Sequence, residues 1–167
     1  MDLYRFSPIE SVGTLTDAIS YVATECSWLF FNSVGHVVPL GSLTIFAHYP
    51  DEYDYLLRLL PDLGTTDETG ARVALDAPIA VEVGVLEVNG VRERVTQIIQ
   101  QLRIRRPDPY RMQVGCCEYQ VADYWDFKGF YGLGTVSPRT IQRPNFEMLE
   151  FFDPSSDVLG YVISQPS

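Results

Sequence analysis

Two adjacent cysteines, Cys116 and Cys117, sit in the stretch LRIRRPDPYRMQVGCCEYQVADYWDF, residues 102–127, beside four arginines and a run of aromatics. A cysteine paired with a histidine is a nucleophile with its base, and His36 and His48 are present to supply the base. That chemistry needs the pair in contact and a third group to orient the imidazole. Nothing in the local sequence arranges either. Zinc sites use cysteines two residues apart with further Cys or His converging on them, whereas neighbours in an extended chain point to opposite faces. The expected arrangement is one core thiol and one outward thiol, with no metal and no cofactor. His48 and Glu52, four residues apart, are a second candidate metal pair, although the acidic start of a helix accounts for Glu52 equally well.

Arginines suit carboxylates and phosphates because the planar guanidinium binds them in a two-pronged fashion. Arg92, Arg94, Arg103, Arg105, Arg106 and Arg111 outnumber Glu93 and Asp108, a local charge of +4. Arg103, Arg105 and Arg106 form a candidate anion site. In extended chain, though, Arg103 and Arg105 point one way and Arg106 the other, and a solvated or ion-paired face is the competing reading. GFYGLGT, residues 129–135, lacks the Lys-Ser or Lys-Thr that completes a phosphate loop. Tyr119, Tyr124, Trp125, Phe127, Phe130 and Tyr131, with Asp123 and Asp126 among them, hold both core residues and, in Trp125 and Tyr131, candidate anchors for a partner.

The chain has 167 residues, 46% of them hydrophobic, which suits one domain and excludes disorder. Its apolar runs are too short to cross a bilayer, so no membrane role is expected. MDLYRFSPIESVG has no basic run followed by an apolar stretch, and an odd count of three cysteines favours reduced thiols. A cytoplasmic location is expected. The net charge is −10, and the excess lies in the first half: residues 1–87 carry 13 acids against 3 bases, residues 88–167 carry 9 of each. Such a chain is a poor partner for nucleic acid and a natural complement to a basic protein.

Which elements would position these residues? Thr14 three residues before Asp17 has capping-box spacing, and Leu15, Ile19, Val22 and Cys26 give a helix over about 15–26. SLTIFAHY reads as a strand over 42–49. Pro50, followed by Asp51, Glu52 and Asp54, opens a helix that runs to about Leu60. ARVAL and IAVEVGVLEV read as two strands. Val91, Val95, Ile98, Ile99 and Leu102 recur at helical spacing, which predicts a helix over 91–103. MQVGCCEYQVADY resumes strand character with a bulge expected near Gly115. Residues 42–123 thus read βαββαβ, the ferredoxin-like order. They follow an N-terminal helical segment (1–41) and precede an aromatic loop with a C-terminal hairpin (124–167). The expected fold is a single α+β domain of about three helices on an antiparallel sheet, with Ile45, Leu57, Val83, Val85, Ile98, Leu102, Val114 and Val121 in the core. No internal repeat is visible.

FEMLEFFDPSSDVLGYVI, Phe146 to Ile163, resembles the last hairpin of the glyoxalase and bleomycin-resistance family: a strand, Asp-Pro, a polar turn and an apolar strand. The resemblance implies a βαβββ module as the alternative fold, told apart by strand order. Where that family often carries a metal-binding glutamate this chain has Leu159, Gly160 and Tyr161, so the resemblance implies a metal-free binding protein.

The reading that follows is a non-catalytic interaction protein, of inhibitor or immunity type, for a basic partner. Asp51 and Asp54 would form an acidic rim, and Trp125 and Tyr131 the anchor. The alternative is a small-molecule-binding protein, or an enzyme using Cys/His or a metal.

Overall fold

In a computed structural model, residues 8–132 and 137–164 are described. They form α1 (Val12–Val34), β1 (Leu40–Phe46), α2 (Pro50–Leu63), β2 (Gly64–Thr66), β3 (Arg72–Val88), β4 (Val91–Arg105), β5 (Gly115–Tyr119), α3 (Tyr124–Tyr131), β6 (Arg139–Gln142), β7 (Glu147–Phe151) and β8 (Val158–Ile163). The eight described strands make one mixed sheet in the order β2-β3-β4-β1-β5-β8-β7-β6. β1 is parallel to β4 and β5 to β8, while the other neighbours are antiparallel.

One plan occurs twice. β1-α2-β2-β3-β4 and β5-α3-β6-β7-β8 are each a strand, a helix and three strands. Within each, the sheet order is first, fourth, third, second, with first and fourth parallel. The two first strands, β1 and β5, meet antiparallel at the centre. The ferredoxin-like βαββαβ order is not formed, because residues 91–105 are a strand and supply no second helix.

The physical reason lies in β4. Asn89 (φ 52) and Gly90 (φ 79) occupy the left-handed conformations of a primed two-residue turn, which returns the chain along β3 from Val88↔Val91 to Arg72↔Arg103. Gln97 and Ile99 are buried, then Leu102 and Ile104. The shift of phase between those two pairs imitates a helical stripe. Ile98, between two core residues, faces the other way and is 46% exposed; Val85, beyond a register shift at Glu82/Gly84, is 44% exposed. Both therefore leave the expected core. Ile45, Val83, Leu102 and Val114 are buried in it, and Leu57 and Val121 pack against it half-buried.

α1 is longer than its periodicity predicts and is capped one turn earlier: the Ser11 side chain accepts from the Thr14 N–H at 3.1 Å. Leu15, Ile19, Val22, Cys26 and Phe30 form its buried face, laid across β3, β1, β5, β8 and β7. Each large apolar side chain so buried contributes about 1.5–3 kcal/mol. α2 covers β2, β3 and β4. The segment expected as an aromatic loop begins as α3, because the Asp123 carboxylate caps it by accepting from the Asp126 N–H at 2.9 Å. Phe127 of α3 stacks on Phe30 at 5.8 Å and meets Phe151 at 6.2 Å. ARVAL and IAVEVGVLEV merge into β3 with a register break between Ala74 and Ile79. The expected C-terminal hairpin is β7–β8. Among the described residues no helix is long and apolar enough to cross a membrane.

Candidate functional site

All three helices share one core with one face of the sheet. The other face carries alternate residues of the central strands: Ser42, Thr44 and Phe46 on β1, Gln101, Arg103 and Arg105 on β4, Cys116 and Glu118 on β5, and Tyr161 on β8. Arg139 and Tyr161 hold Glu150 between them, each bonded to it at 2.9 Å.

At one end of this face a cleft of about 790 Å³ opens where β4 and β1 part. Its walls are the loop before β1 with the first residues of that strand (Val37–Ser42), Thr96, Gln97, Ile98, Gln100 and Gln101 of β4, the end of β5 through Trp125, and Ile163–Ser164. The floor is fixed by Gln97. Its Oε1 accepts from the Leu40 N–H at 3.1 Å, and its Nε2 donates to the Val38 carbonyl at 2.9 Å and to Ser27 Oγ at 3.2 Å. A buried amide with its polar atoms engaged in this way is a rigid strut. Trp125 stands at the mouth, 61% exposed, set edge-on against Tyr124 at 5.0 Å. The charged residues of the lining are Glu118 and Asp123, both acidic. A second, smaller cleft, bounded by Gln142–Glu147, shares Trp125 and Ser164 as walls.

Behind Trp125, Glu147 gathers donors from two elements. Lys128 donates to its Oε1, Gln142 to Oε2 at 2.6 Å, and the Tyr124 hydroxyl to Oε1 at 3.1 Å. The Lys128 ammonium above all, then Gln142 and Tyr124, hold the Glu147 carboxyl below its ordinary range against the opposing effect of burial. Burial first, and then the same carboxylate, push the Tyr124 hydroxyl upward.

The cysteines are not poised as nucleophiles. Burial drives the Cys116 thiol up to about 12, and it raises Cys26 and Cys117 as well. Cys117 faces the core and touches the Cys26 thiol, while Cys116 lies on the opposite face, as adjacency on a strand requires. His36 packs edge-on against Phe30 at 5.6 Å, and His48 Nε2 lies 3.2 Å from the Arg111 carbonyl. Glu52 turns from His48's ring to backbone, accepting from the N–H groups of Ile9 at 2.7 Å and His48 at 2.9 Å. Among the described residues no cluster of three or more His, Cys, Asp or Glu is arranged to hold a metal.

Of the arginines, Arg103 and Arg105 share the helix-free face. Arg105 stacks over Phe46 at 4.8 Å, with Arg111 against the same ring at 5.6 Å, and Arg106 is exposed just past the end of β4. Asp51 and Asp54 are exposed on α2, over the β2–β4 side. Trp125 and Tyr131 are on α3 beside β7, so β1, β5 and β8 separate the acidic rim from the aromatic anchor in the sheet. Tyr131 is half-buried against Phe127 at 4.8 Å. Leu133–Val136, the end of the GFYGLGT segment and its neighbour, lie outside the described residues. Gln97 and Glu118 went unnoticed in the sequence and Ile98 reads there as a core residue, since their place at the cleft comes from strand pairing and no local motif marks it. Compared with protein-family models, curated proteins and solved structures, the chain matches none.

Proposed function

We propose that the protein is a non-catalytic binding protein for a basic protein partner, of inhibitor or immunity type, with the cleft beside Trp125 as its contact site. The observation that carries this reading is the exposed Trp125 at the mouth of a cleft whose charged lining is wholly acidic. Aromatic side chains in such settings supply most of the hold on a partner, and charge speeds its arrival. Asp51 and Asp54 act at longer range, as part of the acidic first half. A cytoplasmic location belongs to the same reading and fits three free thiols.

The test is a binding measurement with the native chain, Trp125→Ala and Asp51→Lys/Asp54→Lys on partners captured from the source cell. A basic protein held by the native chain, released by Trp125→Ala, and bound more slowly by the double variant supports the reading. Equal capture by all three sinks it.

A second reading has its own support. Two βαβββ units of the plan implied by the glyoxalase-type resemblance stand side by side, Phe146–Ile163 falls on β7–β8, and the cleft volume lies within the roughly 300–1,000 Å³ common for small-molecule sites. Co-purification of a small molecule, and no protein, would favour it.

A further inference from the structure

β4 has two edges. One is paired with β3 along nearly its whole length; the other meets β1 only from Gln101 to Arg105. Residues 91–100 thus have no strand neighbour on that edge among the described residues, a stretch of about 33 Å at 3.3 Å per residue. Ile104, whose side chain is on the helix face, donates its N–H to the Ala71 carbonyl on the β3 side at 2.8 Å. Because side-chain and N–H directions alternate together along a strand, Thr96 and Ile98, facing the opposite way, turn their N–H and C=O to the open edge.

Open edges invite foreign strands, and charge is the usual deterrent. Here Arg92, Glu93 and Arg94 guard the tip and Arg103 and Arg105 the base, while the six residues Thr96–Gln101 between them are uncharged. Five of them, all but the core residue Ile99, line the cleft together with Trp125, and the Gln97 amide bridges to the Val38 carbonyl and the Leu40 N–H beside that edge. We propose that this edge receives an extended segment of the basic partner as an added β-strand. This inference rests on the partner-binding reading above. The segment spans five or six residues, about 20 Å. An apolar side chain lies against Ile98 and Trp125, and a lysine or arginine faces Glu118 and Asp123. Backbone bonds supply affinity and alternate side chains specificity.

The probe is a seven-residue peptide of valines alternating with lysine and threonine, titrated at millimolar concentration into isotope-labelled protein. It is also made in two N-methylated forms that block alternate amides. The Thr96 and Ile98 amides should shift and become protected from exchange, and one methylated form should bind at least ten-fold more weakly than the other. Equal binding of both forms, shifts confined to other residues, no binding of the peptide, or a dimer of the chain formed through this edge overturns the proposal. Ile98→Pro removes an edge N–H without touching the β3 ladder. If that variant, folded by circular dichroism, still holds a basic protein that Trp125→Ala loses, strand addition is wrong and the partner reading stands. If the native chain holds no basic protein while its edge takes the peptide, the partner reading alone fails. Should Ile98→Pro not fold, the methylated peptides decide.

Discussion

The indole of Trp28 lies where a side chain on residue 84 would have to be. Its Nε1 donates to the Val83 carbonyl at 2.8 Å, and a Cβ built on Gly84 would come within 2.5 Å of its Cζ2. Gly84 also has φ 148, a conformation L side chains rarely adopt. This contact fastens the β3–β4 arm to α1. Gly84→Ala should cost about 1–3 kcal/mol, the usual range for overpacking, measured by urea unfolding, and should speed amide exchange in the arm. An unchanged unfolding midpoint would show that the arm moves away from α1 at no cost.

Gln97→Ala leaves the Leu40 N–H and the Val38 carbonyl without their shared side-chain partner. A loss of about 1–3 kcal/mol follows from such an unmet buried group. Gln97→Glu should be worse, because it brings in a charge and removes both donated bonds. Denaturant curves for the two variants check the order.

The thiols provide a test in the alkaline range. With Cys116 raised to about 12 by burial, the folded chain keeps protons that the unfolded chain loses from its ordinary thiol range upward. Stability from this group is therefore complete below that range and falls as pH climbs toward 12. At pH 8 the native chain should react with a thiol reagent far more slowly than the urea-unfolded chain. A rapid native reaction at Cys116 would refute the assignment.

Glu147 gives the acid counterpart. Its carboxyl is held low, chiefly by Lys128, so its stabilising effect is present above the ordinary carboxylate range and is lost as pH falls through its folded value. Melting temperatures followed between about pH 2 and 6 should drop less steeply for Glu147→Gln than for the native chain, a window set by carboxylate titration. Parallel curves for the two would contradict this.

The exposed Arg94–Glu82 pair, 3.7 Å apart, is a contrast. Arg94→Ala should change the unfolding free energy by less than about 0.5 kcal/mol, as is usual for solvated pairs. A larger loss in denaturant unfolding would mean that Arg94 matters through more than this contact.

What the sequence determined is what local rules govern. Pro50 with Asp51 and Glu52 starts α2, the apolar stripe from Leu15 to Cys26 marks α1, and DPSSD turns β7 into β8, because caps, dipoles and turn residues act within a few positions. That Cys116 and Cys117 face opposite sides follows from strand geometry alone; that Cys117 is the one turned to the core comes from the tertiary structure. Tertiary structure decided the rest. β4 is a strand because register with β3 outweighs a spacing that a phase shift between Ile99 and Leu102 makes look helical. The repeated βαβββ plan is invisible in the residues, since α2 has 14 residues and α3 only 8, and strand order is set by pairings between distant segments. The cleft exists for the same reason: β1 and β4 are parallel strands separated by a helix and two strands, and their pairing, which begins only at Gln101, leaves Thr96 and Ile98 on an open edge in the cleft that Trp125 also lines.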